Sequence, residues 1–149
     1  MKSVIVLLIV LNVFVCGCQS DDGIATDDRA GSTTILRAPP IKKSDPFDLI
    51  EVKRQETVLT VVVGYGGGCQ PHTFSIYWNG SYADSMPLQA VVDLYHDGQG
   101  DTCEAYLTDT LTFELKDVFR GEYDVENGVH LTVRNAHDQE SLFLKASER

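Results

Sequence analysis

Two short runs hold the side chains with ligand chemistry: Gly66-Gly67-Gly68-Cys69-Gln70-Pro71-His72 and His96-Asp97-Gly98-Gln99-Gly100-Asp101-Thr102-Cys103. Two thiols and two imidazoles make the Cys2His2 composition that tetrahedral zinc accepts, so Cys69, His72, His96 and Cys103 form a candidate site for zinc or copper. The spacing, C-x2-H and H-x6-C, is not that of a zinc finger. The competing reading joins Cys69 to Cys103 in a disulfide, and a bridged cysteine cannot also be a thiolate ligand. With the bridge formed, His72 and His96 would keep a weak zinc or copper site, with Asp97 or Asp101 nearby. The stretch Asp97 to Asp101 places oxygen ligands at alternate positions, as a calcium loop does. It lacks the third acidic ligand, the correctly placed glycine and the terminal bidentate glutamate, and reads as a tight glycine turn. For catalysis the chain has parts without an assembly, since no G-x-S-x-G elbow, H-E-x-x-H or catalytic-cysteine signature occurs. No catalytic residue is assigned, and a hydrolase acting on envelope polymers is the weakest of the functional readings.

Period two decides how those runs are positioned. His72 to Asn79 alternates strictly, with His72, Phe74, Ile76 and Trp78 on one face and Thr73, Ser75, Tyr77 and Asn79 on the other. Leu88, Ala90, Val92, Leu94 and His96 form the next inward row. His72 opens the first row and His96 closes the second. Antiparallel pairing of these strands would therefore gather both imidazoles and both cysteines at one end of the sheet. Val58 to Tyr65 is a β-branched run suited to a central strand with both faces covered, and Gly66 to Gly68 ends it. Short strands follow at Cys103 to Leu107 and Leu111 to Leu115. Asn127-Gly128 favours a hairpin turn that would pair Tyr123 and Val125 with Val129, Leu131 and Val133. Ser141 to Ala146 is the last strand. About eight short strands and no amphipathic helix of two turns predict an all-β fold, an antiparallel β-sandwich, immunoglobulin-like or a partly open barrel. Trp78, Tyr77, Tyr82 and Tyr95 would furnish an aromatic surface for sugar or peptide, although Trp78 is in the inward row, where core packing is its default. His130 and His137 are expected on an outward face and in a loop.

The amino terminus reads as an address. Lys2 precedes the apolar run Val4 to Val15, which stops at Cys16-Gly17-Cys18; these are the parts of a secretory signal peptide, and the run is shorter than the roughly 20 residues of a bilayer span. Val15-Cys16-Gly17-Cys18 resembles a bacterial lipobox. The resemblance implies cleavage after Gly17, diacylglycerol on the Cys18 thiol and acylation of the new terminus, with residues 1–17 as signal peptide. That processing would leave Cys69 and Cys103 as the remaining cysteine pair in an oxidising compartment, which favours their disulfide. A bridge closing a loop of about 35 residues is worth roughly 3 to 4 kcal/mol in the chain-entropy model. The pattern Gly67-Gly68-Cys69, His72-x-Phe74, His96, Gly100-Asp101 and Cys103 also resembles that of uncharacterised bacterial envelope lipoproteins, which implies the same location and no known activity.

Residues 18–45 carry acids, glycine and Pro39-Pro40 without a period. They are expected to be the lipidated cysteine and an unfolded tether, holding a domain at 46–149 on the order of 30 Å from the bilayer. The 149 residues, 43% hydrophobic and 23% charged, accommodate one such domain. Twelve Lys and Arg against 22 Asp and Glu give a formal net charge of -10, which excludes a nucleic-acid binder. Anionic headgroups would repel so acidic a chain, so the membrane would be held through the acyl chains. The functional expectation is an envelope lipoprotein on the exported side of a membrane. Its domain would bind or scaffold an envelope protein or polysaccharide, and the alternative is a metal-binding protein using the His72/His96 end.

Overall fold

The alternation at residues 72–79 is the middle of a larger sheet. A computed structural model describes residues 31–120 and 128–145. The signal peptide, Cys18, the tether up to residue 30, the Tyr123/Val125 half of the expected hairpin, and Ala146 lie outside the described residues. The strands are β1 (Ser32–Leu36), β2 (Asp48–Gln55), β3 (Val58–Gly67), β4 (Thr73–Ala83), β5 (Gln89–Asp97), β6 (Ala105–Glu114), β7 (His130–Asn135) and β8 (Ser141–Leu144). One helical turn, α1 (Leu115–Val118), follows β6. The fold is all-β, with a five-stranded sheet in the order β1-β4-β5-β7-β8 facing a three-stranded sheet in the order β2-β3-β6.

β4 and β5 pair antiparallel, with Phe74 opposite His96 and Ile76 opposite Leu94. Their inward rows, His72, Phe74, Ile76 and Trp78 against Ala90, Val92, Leu94 and His96, are all buried. Leu88, expected to begin the second row, is exposed. β3 is central between β2 and β6, with one face fully packed and the other partly covered. Leu59, Val61, Val63 and Tyr65 are buried on the packed face, while Val58, Thr60 and Val62 on the other face are half-buried. The two short strands expected at 103–107 and 111–115 are a single strand, β6. Cys103 precedes it, and Leu115 turns into α1, where Leu115, Val118 and Phe119 close the core against Trp78.

Two strands correct the sequence expectation. β2 has no period of two because a bulge shifts the register between Leu49 and Glu51, so Leu49 and Val52 turn toward the core while Ile50 is exposed. β1 lies within the expected tether. It pairs parallel with β4, Ser32 opposite Thr73, and its hydroxyls meet those of its neighbour, Thr34 to Ser75 at 2.6 Å. The folded part therefore begins well before residue 46, and Ser44 is buried.

The sheets do not close into a barrel, yet both seams are bridged by side chains. Asp109 on β6 accepts the amide of Gly31 at 2.9 Å. Arg54 on β2 donates to the carbonyls of Val129 at 2.8 Å and Lys145 at 3.1 Å.

Candidate functional site

At the end of the sandwich where β3 and β5 finish, the loop 68–72 meets the loop 98–104. Each loop connects one sheet to the other. Cys69 and Cys103 join the loops in a disulfide with Cα atoms 5.9 Å apart. The four-ligand site is thereby corrected: both thiols are spent on the bridge, so Cys69, His72, His96 and Cys103 do not form a Cys2His2 centre. Among the described residues the group of metal-type ligand atoms lying close together is Cys69, Asp101 and Cys103, and two of those three are the bridged sulfurs.

Asp101 organises the loops. Its Oδ2 accepts the amides of Gly68, Cys69 and Gln70 at 2.9, 2.8 and 2.9 Å, and its Oδ1 accepts that of Cys103 at 2.9 Å. The amides of Cys103, Cys69 and Gln70, Cys103 foremost and with the ring of His72, hold the carboxyl far below the ordinary carboxylate range against the opposing effect of burial. The same Oδ2 lies 3.3 Å from Nε2 of His72. His72 Nδ1 lies 2.8 Å from His96 Nε2, and His96 Nδ1 donates to the carbonyl of Pro46 at 3.1 Å. The result is one buried file: Asp101, His72, His96, Pro46. Burial pushes the His96 imidazole below its usual value, and the facing His72 adds to this, against an opposing contribution from the Pro46 carbonyl. The rings stand in an aromatic box, with Phe74 stacked on His96 at 4.5 Å and Tyr65 against His72 at 4.7 Å.

A third segment, absent from the sequence reading of the site, straps the file from outside. Ser44 Oγ accepts the amide of His96 at 3.0 Å, Asp45 N donates to the His96 carbonyl at 2.9 Å, and Asp45 Oδ2 accepts the amide of Gly98 at 2.9 Å. Nothing in the residue types at 44–46 announces this, because the partners are a carbonyl, an amide and a ring some fifty residues away. A cavity of about 570 Å3 opens among these loops, lined by Lys42, Asp45, His72, His96, Gly98 and Asp101 among others. Lys42 reaches Asp97 at 2.5 Å and Asp45 at 3.3 Å, and it holds the Asp97 carboxyl below its usual value.

The calcium-like stretch is a turn. Asp101 N donates to the Gly98 carbonyl at 2.9 Å, Asp97 Oδ1 accepts the amide of Gln99 at 3.0 Å, and Gln99 and Gly100 take positive φ of 53° and 76°. The four aromatics do not form one surface. Trp78 is buried with Tyr82 at 5.0 Å and Phe119 at 4.8 Å, while Tyr77 and Tyr95 alternate to the outer face of the larger sheet. His130 packs on Phe143 at 5.2 Å, and His137 Nδ1 donates to the Ser44 carbonyl at 3.0 Å.

The same arrangement of strands occurs in solved proteins. A NigD-like immunity protein from Bacteroides caccae superposes with a TM-score of 0.51 at 19% identity, covering 77% of this chain and 58% of that one. A toxin-related protein from Parabacteroides distasonis gives 0.55 at 13% identity, covering 78% and 61%. A protein of unknown function from Bacteroides vulgatus gives 0.56 at 12% identity, covering 80% and 58%. The chain shares their fold. It spans about three fifths of the length of these proteins, and at such identities the likeness is of fold alone. No family model matches the chain, and no curated protein matches it.

Proposed function

We propose that the chain is a lipid-anchored protein of the bacterial cell envelope whose β-sandwich is a binding module, presenting the bridged loop end to a protein or polysaccharide partner. The observation that carries this reading is the use of Asp101. A carboxylate that gathers four backbone amides and an imidazole, beside a disulfide, ties the loop 68–72 to the loop 98–104 beside one concavity. Pre-ordered loops bind with less entropy to lose. The groups that would otherwise do chemistry are engaged in holding the loops: Asp101 on amides, His96 on the Pro46 carbonyl, the cysteines on each other.

The anchor rests on Val15-Cys16-Gly17-Cys18. The described chain enters at Gly31, and Ser32 N donates to the His72 carbonyl at 3.0 Å, so the connection from Cys18 arrives at the bridged end. At no more than ~3.6 Å per residue that connection spans at most about 47 Å, which keeps the concavity close to the bilayer.

Site-specific photocrosslinking in envelope extract tests the module. A crosslinker at Thr102, on the exposed rim of the concavity, should give discrete adducts, whereas one at Val91 on the outer face of the larger sheet should not. Adducts from Val91 but none from Thr102 would move the binding face elsewhere and overturn the proposal.

A further inference from the structure

We infer that the buried His72–His96 pair is a proton-binding site holding three ring protons, one more than two neutral imidazoles carry, so that the file reads carboxylate, imidazolium, imidazole, carbonyl. The inference rests on the geometry of the pair and stands apart from the binding reading above.

Donors and acceptors along the file fix the number of ring protons. Both rings are almost wholly buried, at 2% and 4% exposure. A carbonyl and a carboxylate only accept. Pro46 O therefore asks His96 Nδ1 for a proton at 3.1 Å, and Asp101 Oδ2 asks His72 Nε2 for one at 3.3 Å. With those two protons alone, His72 Nδ1 and His96 Nε2 would present lone pairs to each other at 2.8 Å. Moving the His72 proton to Nδ1 mends the middle and sets a lone pair against the Asp101 carboxylate. Moving the His96 proton to Nε2 sets one against the Pro46 carbonyl. Every two-proton arrangement thus leaves two acceptors face to face in a site where an unmade bond is costly. A third proton between the rings satisfies all three contacts at once. A fourth would put N–H against N–H.

The charges nearby favour one extra proton and oppose two. Asp101 is ionised and adjacent, so the imidazolium is paired and the file is neutral overall. The π face of Tyr65, against His72, also attracts a cation. From the other elements packed around the pair, the titratable groups are Asp45 before β2, held on Gly98 N and Lys42; Asp97 at the end of β5, paired with Lys42; Asp109 on β6, reached through the Tyr65 hydroxyl; and His137 after β7, acting through Ser44. Burial of His96 keeps the second charge off. Losing the shared proton at higher pH sets the lone pairs opposed, which unseats His72 from Asp101 and slackens the loops that Asp101 and Pro46 tie together.

Nitrogen-15 spectra of the full chain at about pH 7 count the ring protons of His72 and His96 directly. Three are expected, with internitrogen coupling across the pair; two would overturn the inference. Raising the pH should then remove one proton and shift the amides of Gly68, Cys69, Gln70 and Gly98 in the same step. A step in the rings that leaves those amides still would overturn the link to the loops. Asp101→Asn removes the counter-charge and should move the step down by about one pH unit or more, and an unmoved step counts against the pairing. If that variant does not fold, the wild-type count and the coupled amide shifts still decide.

Discussion

Asp109 accepts the amide of Gly31 at 2.9 Å, fastening the first strand of the larger sheet to the outer strand of the smaller one. The same carboxylate takes the hydroxyl of Tyr65, so one side chain joins the entry of the chain, the core of β3 and the seam between sheets. A chain shortened to begin at Gly31 keeps β1 and this seam. A chain beginning at Asp45 loses β1 and this seam and should be less stable by about 2 kcal/mol or more, the range of a lost structural element contact. Equal melting of both shortened chains would show that β1 contributes nothing.

The bridge gives a second test. Native protein should show no free thiol at Cys69 or Cys103, and the double replacement Cys69→Ala with Cys103→Ala should lower stability by roughly 2 to 5 kcal/mol in denaturant titration. Two reactive thiols in the native oxidised protein would contradict the disulfide. Metal titration of the reduced protein bears on the other reading of these residues. Tight one-to-one zinc binding abolished by His72→Ala or His96→Ala would restore the Cys2His2 site for the reduced state, and weak or absent binding is expected.

Much of this end was legible in the sequence, and the reasons are specific. The inward rows of β4 and β5 follow from period two, and antiparallel pairing then brings His72 beside His96 without further information. The strap at Ser44 to Pro46 was hidden because its contacts run through backbone groups, which residue type does not encode. β2 was hidden because the bulge after Leu49 turns a two-residue period into three. β1 was hidden because Ser32, Thr33 and Thr34 are exposed, so an edge strand stabilised by hydroxyl pairs looks like polar linker. Asp101 read as a turn residue, and its capture of amides on the other loop depends on where the fold delivers that loop.

Acid should loosen the protein before it unfolds it. His96 is held below the usual histidine value of about 6.5 by burial, so as pH falls past that value the unfolded chain takes up a proton that the folded chain refuses. Stability contributed by neutral His96 is therefore full above the unfolded value and lost as pH drops through the folded one. Asp101, also held low, adds a loss at much lower pH. Melting measured from about pH 6 to about pH 4 should fall, and His96→Gln should flatten the upper part of that fall. A melting temperature flat over the same range in the wild type would contradict the burial of a neutral imidazole.

The last prediction separates the packing of the file from its charge. Gly67 has a positive φ of 156° and sits against the ring of His72, where an added Cβ would meet Nε2 at 2.5 Å and Cε1 at 2.6 Å. The approach is too close for any side chain, and the atoms in the way belong to a buried ring packed against Tyr65. Gly67→Ala must therefore displace His72 away from Asp101 or shift the backbone of β3 at its end. The cost expected is about 1 to 3 kcal/mol, as for other overpacked or strained positions. Gly66 makes the control, because a Cβ there meets nothing within 4 Å, so Gly66→Ala should change stability by less than about 0.5 kcal/mol. If the file organises the loops, Gly67→Ala should also shift the amides of Gly68, Cys69 and Gln70, which depend on Asp101, and Gly66→Ala should spare them. Equal effects of the two substitutions would mean that the close packing of Gly67 on His72 does not set the geometry of this end.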